Sequence, residues 1–171
     1  MDDDGDLDAF VLGLNTVYVW LNDGGEFAER SWDLGYIARA MALGDMDGDG
    51  DLDAFIAGSP DGDAVWLNDG SGVFVDSGQK LGDSKDVALG DLDGDGDLDA
   101  VSIEAFSAGK IWLNDGTGTF TDGGQSLETT GYTAVALGDL DGDGDLDAVS
   151  VSSGTAHIVW LNEMAQESGE L

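Results

Sequence analysis

The sequence lacks cysteine, has one proline and contains only five lysine or arginine residues in 171. Without cysteine, a disulfide framework and a thiolate zinc site are both excluded. Five basic residues against 37 acidic ones give a formal net charge of −32, which argues against nucleic-acid binding through phosphate contacts. No apolar run approaches the roughly 18–20 residues of a membrane-spanning helix. Residues 1–4 do not resemble a signal peptide, so we expect any export signal to lie outside this chain.

Aspartate and glycine are what the sequence has in excess. Thirty of the 37 acidic residues are Asp, seven are Glu, and glycine contributes 28 residues. Aspartate is a poor helix former but a good loop residue and oxygen ligand, and glycine permits tight turns. Hydrophobic residues make up 42% of the chain, and its length suffices for one domain with a sizeable core. The composition therefore predicts a folded, turn-rich protein and not a disordered acidic tail.

The chain is an internal repeat. The triplet Trp-Leu-Asn begins at Trp20, Trp66, Trp112 and Trp160, at intervals of 46, 46 and 48 residues. An aspartate-rich segment recurs in the same phase, and its four copies contain 20 of the 30 aspartates. These copies lie at residues 2–8, 45–53, 91–99 and 139–147. The charge is therefore a periodic feature and not a diffuse acidic surface.

Each period predicts four short strands. In the second complete unit the strands are predicted at 87–89, 98–103, 110–114 and 119–121, with the aspartate-rich segment between the first and the second. The Asn-Asp-Gly cluster that starts at Asn114 is a strong hairpin signal, because these residues tolerate positive φ. No segment has a sustained apolar period of 3.6 residues. The sequence thus predicts an all-β repeat.

Four antiparallel strands in about 46 residues is the size of a β-propeller blade. A blade is covered by a neighbour on both faces, so its strands can be apolar at consecutive positions, as in Ile111-Trp112-Leu113. We therefore predict a β-propeller fold of about 3.5 blades per chain, with the recurring tryptophans in the core. The predicted division is a partial blade at 1–36, blades at 37–82 and 83–130, a partial blade at 131–162, and a C-terminal tail at 163–171.

The aspartate-rich segments have the composition of a calcium-binding loop. Each complete copy has carboxylates at positions 1, 3, 5 and 9 and glycine at position 6, which allows a sharp bend. Calcium takes six to eight oxygens at about 2.3–2.6 Å, and the position-7 carbonyl of Asp51, Asp97 or Asp145 can add one. Magnesium fits less well because it demands octahedral geometry and keeps its waters. Converging carboxylates without a counter-ion repel, so we favour a metal site over a solvated acidic turn.

An EF-hand is excluded by the residues on the C-terminal side of each loop. An EF-hand loop needs a glutamate at position 12 and flanking helices. Position 12 is Ile56, Ser102 or Ser150 in the three copies, and the flanking residues are strand-like. Position 9 must therefore close the site within a β-hairpin.

The segment Ala-Leu-Gly-Asp-Leu-Asp-Gly-Asp-Gly-Asp-Leu-Asp-Ala at 88–100, followed by Trp-Leu-Asn-Asp-Gly-Thr-Gly-Thr-Phe at 112–120, resembles the FG-GAP/VCBS repeat family. The resemblance covers residues 1–162 and extends to the calcium-binding blades of integrin α-subunit propellers. It implies a propeller with calcium in the hairpin loop between the first and second strands of a blade, at about three Ca²⁺ per chain. The side-chain ligands that it implies are Asp45, Asp47, Asp49, Asp53, Asp91, Asp93, Asp95, Asp99, Asp139, Asp141, Asp143 and Asp147.

Both ends depart from the repeat. The first copy has Asp2, Asp4, Asp6 and Asp8 at positions 3, 5, 7 and 9 but lacks position 1, so it is at most a partial site. The first strand of that unit is also missing, and the last unit ends after its third strand, which gives fourteen strands. Propellers usually close with four to eight blades, and an unclosed stack exposes apolar faces and strand edges. We expect a homodimer that completes a seven- or eight-bladed ring; the alternatives are a piece of a longer propeller and an open head-to-tail array.

Catalysis has little support in the sequence. The one histidine, His157, lies in a predicted apolar strand, where a lone histidine is usually structural. Ser150, Ser152 and Ser153 belong to no nucleophile motif. We therefore expect a protein that is not an enzyme.

Two binding functions remain open. The integrin-like resemblance suggests an interaction or adhesion scaffold, and related propellers also serve as lectins or as accessory propellers of polysaccharide-degrading enzymes. Aromatic residues outside the repeat pattern are the sugar-stacking candidates, although packing between blades explains each equally well. They are Trp32, Tyr36, Phe106 and Tyr132. Glu104 and the loop after Phe106 differ among units, as ligand-binding loops often do. The calcium sites and the family resemblance favour an extracellular or cell-surface location.

Overall fold

The structure is a computed structural model that describes residues 1–59, 62–104, 107–127, 132–152 and 157–163. These residues form fourteen strands in four antiparallel sheets, and each sheet contains strands that are consecutive in the sequence. Blade 1 consists of β1 (Ala9–Leu12), β2 (Thr16–Asp23) and β3 (Glu26–Asp33). Blade 2 consists of β4 (Ile37–Gly44), β5 (Asp53–Ser59), β6 (Ala64–Asn68) and β7 (Phe74–Asp76). Blade 3 consists of β8 (Ser84–Gly90), β9 (Asp99–Glu104), β10 (Gly109–Asn114) and β11 (Phe120–Leu127). Blade 4 consists of β12 (Tyr132–Gly138), β13 (Asp147–Ser152) and β14 (His157–Trp160).

The all-β prediction and the distribution of three, four, four and three strands are confirmed. The outermost strand of blade 3 is the main difference, because it was predicted at 119–121 and extends to Leu127. A β-bulge between Lys110 and Trp112 realigns the partner strand, so that pairing continues as far as Gly109 opposite Leu127. Within the described residues there is no helix long and apolar enough to cross a membrane.

Each of the three complete aspartate-rich segments connects the first and second strands of a blade. In blade 2 the segment follows β4 and precedes β5, whose pairing places Gly44 opposite Asp53 at the base of the loop. The same pairing recurs in blade 3, between Gly90 and Asp99, and in blade 4. The antiparallel ladder therefore brings position 9 of each loop back to the residue that precedes position 1.

The described residues form three core clusters, one between each pair of neighbouring blades. Strand β5 shows how one strand serves two of them. Ala54 and Ile56 belong to the cluster shared with blade 1, whereas Phe55 and Ala57 belong to the cluster shared with blade 3. All four side chains are fully buried. Because successive side chains of a strand point to opposite faces, both faces of the inner blades are apolar.

The recurring tryptophans do not all share the same environment. Trp112 is 7% exposed, and Trp66 and Trp160 are half-buried and pack against core clusters. The prediction of a core position is wrong for Trp20, which is 42% exposed and contacts Phe27 edge-on. Trp20 lies on the face of blade 1 that points away from blade 2, where the described residues provide no covering sheet. Its exposure therefore follows from its place at the end of the stack.

Candidate metal centre

Three groups of aspartates converge, one in each complete loop. Each group contains positions 1, 3 and 9, and in each group one carboxylate oxygen per residue lies within 4.8 Å of those of the other two. The groups are Asp45, Asp47 and Asp53; Asp91, Asp93 and Asp99; and Asp139, Asp141 and Asp147. Two oxygens that bind one calcium ion at about 2.3–2.6 Å lie no more than about 5 Å apart. The separation and the all-oxygen donor set therefore fit calcium.

In the loops of blades 2 and 3 the backbone curls around the position-1 carboxylate. Asp45 accepts hydrogen bonds from the amides of Gly48 (2.9 Å) and Gly50 (3.0 Å). The Asp91 carboxylate accepts the equivalent pair of bonds in blade 3. Gly48 and Gly50 have φ of 76° and 98°, a left-handed conformation that glycine adopts without strain. The sequence predicted this need at position 6 and missed it at position 4.

Position 9 is the most buried carboxylate of each loop and accepts two backbone hydrogen bonds. Asp99 Oδ2 accepts the amide of Leu92 at position 2, and its Oδ1 accepts the amide of Asn114, both at 2.9 Å. The pair recurs at Asp53 and at Asp147. All three side chains are fully buried. Position 9 thus ties the loop to the third strand of its own blade, whatever ion the loop binds.

Positions 3 and 9 of the inner loops have raised pKa values. Burial, reinforced by the neighbouring carboxylates Asp49 and Asp45, raises the pKa of Asp47. Burial likewise raises the pKa of Asp53, and it raises that of Asp99 to about 6, against the lowering effect of their amide hydrogen bonds. A divalent cation would reverse this effect because it favours the ionised form.

Blade 4 has a different balance at position 9. The amides of Asn162 and Leu140 lower the pKa of Asp147, and this effect outweighs that of burial. Its position-3 neighbour, Asp141, still has a raised pKa because of desolvation and the Asp143 carboxylate. Position 9 of the terminal loop therefore keeps the same two amide hydrogen bonds as in the inner loops, and here they have a larger effect on the pKa than desolvation does.

Positions 5 and 7 stand apart from the converging groups. The position-5 carboxylate of Asp95 accepts the amide of position 7, Asp97, at 2.9 Å, and the other complete loops repeat this bond. The Asp97 side chain lies against Gly116 in the turn of the same blade, as Asp51 lies against Gly70. The position-5 side chains and the position-7 carbonyls stay predictions as calcium ligands.

The truncated first loop keeps the backbone of a complete one. Asp3 occupies position 4 with φ of 56°, the left-handed conformation that glycine has there in the other loops. Asp8 occupies position 9, where Oδ1 accepts the Asn22 amide at 2.8 Å and Oδ2 pairs with the Met1 nitrogen at 3.2 Å. Among the described residues the first loop provides no group of three converging carboxylates. The missing position 1 accounts for this difference.

Most of the other candidate residues prove to be structural or exposed. Trp32 stacks on Phe74 with ring centroids 5.7 Å apart, and both Trp32 and Tyr36 pack against the cluster between blades 1 and 2. Packing between blades, the alternative to sugar stacking, is thus what the structure shows for these two. His157 is exposed on β14. Glu104 is buried and accepts the Asp83 amide. Phe106, Ser153, the Tyr132 side chain and residues 164–171 lie outside the described residues.

The asparagine of the Trp-Leu-Asn triplet is the residue that the sequence reasoning missed. Its side-chain amide donates to the position-2 carbonyl of the preceding blade's loop. The three bonds join Asn68 to Met1 at 2.9 Å, Asn114 to Met46 at 2.8 Å, and Asn162 to Leu92 at 2.6 Å. The invariance of this asparagine across units was the available signal. The acidic loops are therefore connected from blade to blade by a repeated hydrogen bond.

The profile of the FG-GAP-like repeat matches the chain three times, at residues 1–56, 45–102 and 91–150. The chain belongs to the FG-GAP-like repeat family. Each match begins at one acidic loop and extends past the next, so the three matches together include all four acidic loops, and FG-GAP repeats fit propeller blades. A search of curated proteins gave no match.

Proposed function

We propose that this FG-GAP repeat chain is a non-enzymatic, calcium-binding β-propeller module that acts as an interaction or adhesion scaffold. The observation that carries the proposal is the convergence of positions 1, 3 and 9 in three successive loops, within 4.8 Å in each. Fully buried position-9 carboxylates with two amide donors support it, because a carboxylate held in this way is preorganised for a cation.

Calcium in these loops would act as a clamp. An ion shared by positions 1, 3 and 9 joins the end of a blade's first strand to the start of its second. It also neutralises carboxylates that burial and mutual repulsion make hard to ionise, such as Asp47 and Asp99. Three ions would reduce the formal charge of the chain from −32 to about −26. FG-GAP repeats occur in extracellular proteins, where free calcium is abundant, and we propose the same location for this chain.

The test is calcium stoichiometry and calcium-dependent stability. Isothermal titration of metal-free protein should give three ions per chain, and excess chelator should lower the melting temperature markedly, because an ion bound only by the folded state stabilises it by mass action. Asp91→Asn should reduce the stoichiometry by one. The control is Asp23→Asn, which removes one exposed charge at the end of β2, outside the acidic loops, and should leave the stoichiometry at three. An unchanged melt in chelator, with no calcium uptake, would contradict the proposal.

A further inference from the structure

We infer that the two end blades of this chain bind each other between copies, so that blade 4 of one copy docks head to tail on blade 1 of a second copy. The inference deepens the proposed propeller module by naming its partner, and it rests on that proposal. The front face of a blade is the face that points to the following blade, and the back face is the one that points to the preceding blade. The interfaces between neighbouring blades within the chain show which contacts a front face makes with the back face of the next blade.

In the first contact, a leucine of one blade packs against the glycine that precedes the acidic loop of the blade before it. The space that the missing side chain of this glycine leaves is called the glycine notch. A Cβ built on Gly44 would meet Leu98 Cδ1 at 2.5 Å, and one on Gly90 would meet Leu146 Cδ1 at 2.6 Å. Both leucines are position 8 of the following blade's loop. At the equivalent notch on blade 4, Gly138, none of the described residues lies within 4 Å of such a Cβ. The position-8 leucine of blade 1, Leu7, is 89% exposed. One end of the chain thus has an empty notch and the other end has the side chain that fills it.

The second contact joins the acidic loop to the asparagine of the next blade. At position 2, Met46 and Leu92 are each 1% exposed beneath the following blade, whereas Leu140 in blade 4 is 51% exposed. The carbonyls of Met46 and Leu92 accept the following blade's asparagine side chain. The asparagine of blade 1 is Asn22, and the one bond that its side-chain amide donates among the described residues is a long one, of 3.3 Å, to the Leu7 carbonyl of its own blade. The side-chain amide of Asn114 donates both to Leu98 of its own blade and to Met46 of the preceding blade. The amide of Asn22 can therefore donate to a second blade while it keeps its bond to Leu7.

The remaining contact is apolar, and both halves of it are exposed. On the front of blade 3, Val101, Ile103 and Ile111 are fully buried by blade 4. On the front of blade 4, the residues that correspond to Ile103 and Ile111 are 40–56% exposed, and so is the leucine of the Trp-Leu-Asn triplet. These residues are Val151, Val159 and Leu161. On the back of blade 1 the exposed residues, at 42–60%, have equivalents on blades 2 and 3 that are nearly all buried. They are Val11, Trp20 and Phe27.

A second copy is the occupant that these contacts specify. The two faces are exposed in the same chain, so blade 4 does not close onto its own blade 1. The faces differ from each other, which makes the contact heterologous, and such a contact either closes a ring or continues as an array. Two copies would bring eight blades together, within the range of closed propellers. Like charge opposes the association, so calcium and moderate salt should favour it.

Cysteine cross-linking tests the head-to-tail arrangement directly, since the chain has no cysteine of its own. Leu7→Cys and Gly138→Cys are made in separate chains and oxidised singly and mixed, in calcium. Head-to-tail docking predicts a covalent dimer from the mixture and almost none from either variant alone. The pair Gly44→Cys with Leu98→Cys in one chain is the positive control, because it places the same contact inside the molecule. Dimers formed by the Leu7→Cys variant alone, or no mixed dimer while the control closes, would overturn the arrangement.

The mass in solution tests the association itself. Light scattering in calcium should give about twice the 17.7 kDa of one chain, or a larger multiple. Leu7→Asp and Leu161→Asp should each reduce it to one chain. Leu52→Asp, at position 8 of blade 2 and 43% exposed, is the matched control and should leave the mass unchanged. Calcium titration separates the two proposals: a wild-type monomer that binds three ions refutes the docking alone, whereas an assembly without calcium uptake refutes the calcium module alone.

Discussion

The inner and terminal blades carry nearly the same sequence in different surroundings. Trp112 in blade 3 is 7% exposed and donates to Ser102 Oγ at 3.1 Å, whereas its equivalent in blade 1, Trp20, is 42% exposed and donates to Glu29. Leu92 is buried, and its equivalent Leu140 is half exposed. The difference shows that the burial of a residue in this repeat depends on the neighbouring blade as much as on its own. Stability should therefore be concentrated in the three internal interfaces.

Replacing the two tryptophans should give the largest contrast. Trp112→Ala leaves a cavity between blades 2 and 3 and should cost about 3–5 kcal/mol of unfolding free energy. Trp20→Ala should cost less than about 1 kcal/mol, because an exposed side chain leaves no cavity. Urea unfolding measures both, in the Leu161→Asp background so that a docked second copy does not bury Trp20. Equal costs would show that the tryptophans act within their own sheets and not between blades.

Calcium should likewise stabilise the protein more through the loop of blade 3 than through the loop of the terminal blade 4. Asp91 and Asp93 are half-buried, whereas Asp139 and Asp141 are exposed, and attraction between an ion and a carboxylate is less screened in the more buried site. With free calcium at 100 times the dissociation constant, losing one site removes about 2.7 kcal/mol. We expect Asp91→Asn to lower the melting temperature in calcium by more than Asp139→Asn does. Both variants should melt alike in chelator, and a larger loss for Asp139→Asn would reverse the ranking of the sites.

The glycine notches permit a contrast of one methyl group. Gly90→Ala places Cβ at 2.6 Å from Leu146 Cδ1 and 3.0 Å from Leu137 Cδ1, an overlap that should cost about 1–3 kcal/mol. Gly138→Ala meets nothing within 4 Å in the described part of the chain and should be neutral or stabilising by about 0.4–1 kcal/mol, since alanine restricts the unfolded chain. Urea unfolding in the Leu161→Asp background compares the two. A destabilised Gly138→Ala would mean that its backbone, and not the neighbouring leucine, requires glycine.

Much of the fold could be predicted because the information is local and repeated. The loop spacing and the Asn-Asp-Gly turns determined the strand order, and three of the four predicted ligand positions converge. The exposure of Trp20 was not predicted, because the four tryptophans were assigned to the core together, although the sequence also predicted that the end blades would expose an apolar face. The extension of β11 to Leu127 depends on a bulge at Gly123 and Gly124, and the sequence reasoning took these glycines for the end of the strand. The need for a left-handed backbone at position 4 is visible only in the structure, from the positive φ of the glycines there and of Asp3 in the first loop.

The smallest effect concerns how stability depends on pH without calcium, and it compares position 9 in the acidic loops of blades 3 and 4. Burial raises the folded-state pKa of Asp99 to about 6, above its unfolded value of about 3.9. The folded protein therefore binds more protons there, and this residue makes stability fall as the pH rises from about 4 to about 6. Hydrogen bonds lower the pKa of Asp147, so its contribution is present above about pH 4 and is lost as the pH falls below it. Asp99→Asn should remove part of the fall in unfolding free energy between pH 4 and 6, and Asp147→Asn should not.

Urea midpoints measured across that range give the slope of stability against pH. Each substitution also loses a buried acceptor, and so the slopes of the two variants are compared and not their absolute stabilities. Because protons and calcium compete for Asp99, calcium should flatten the wild-type slope, and a slope that is unchanged in calcium would indicate that Asp99 does not bind the ion.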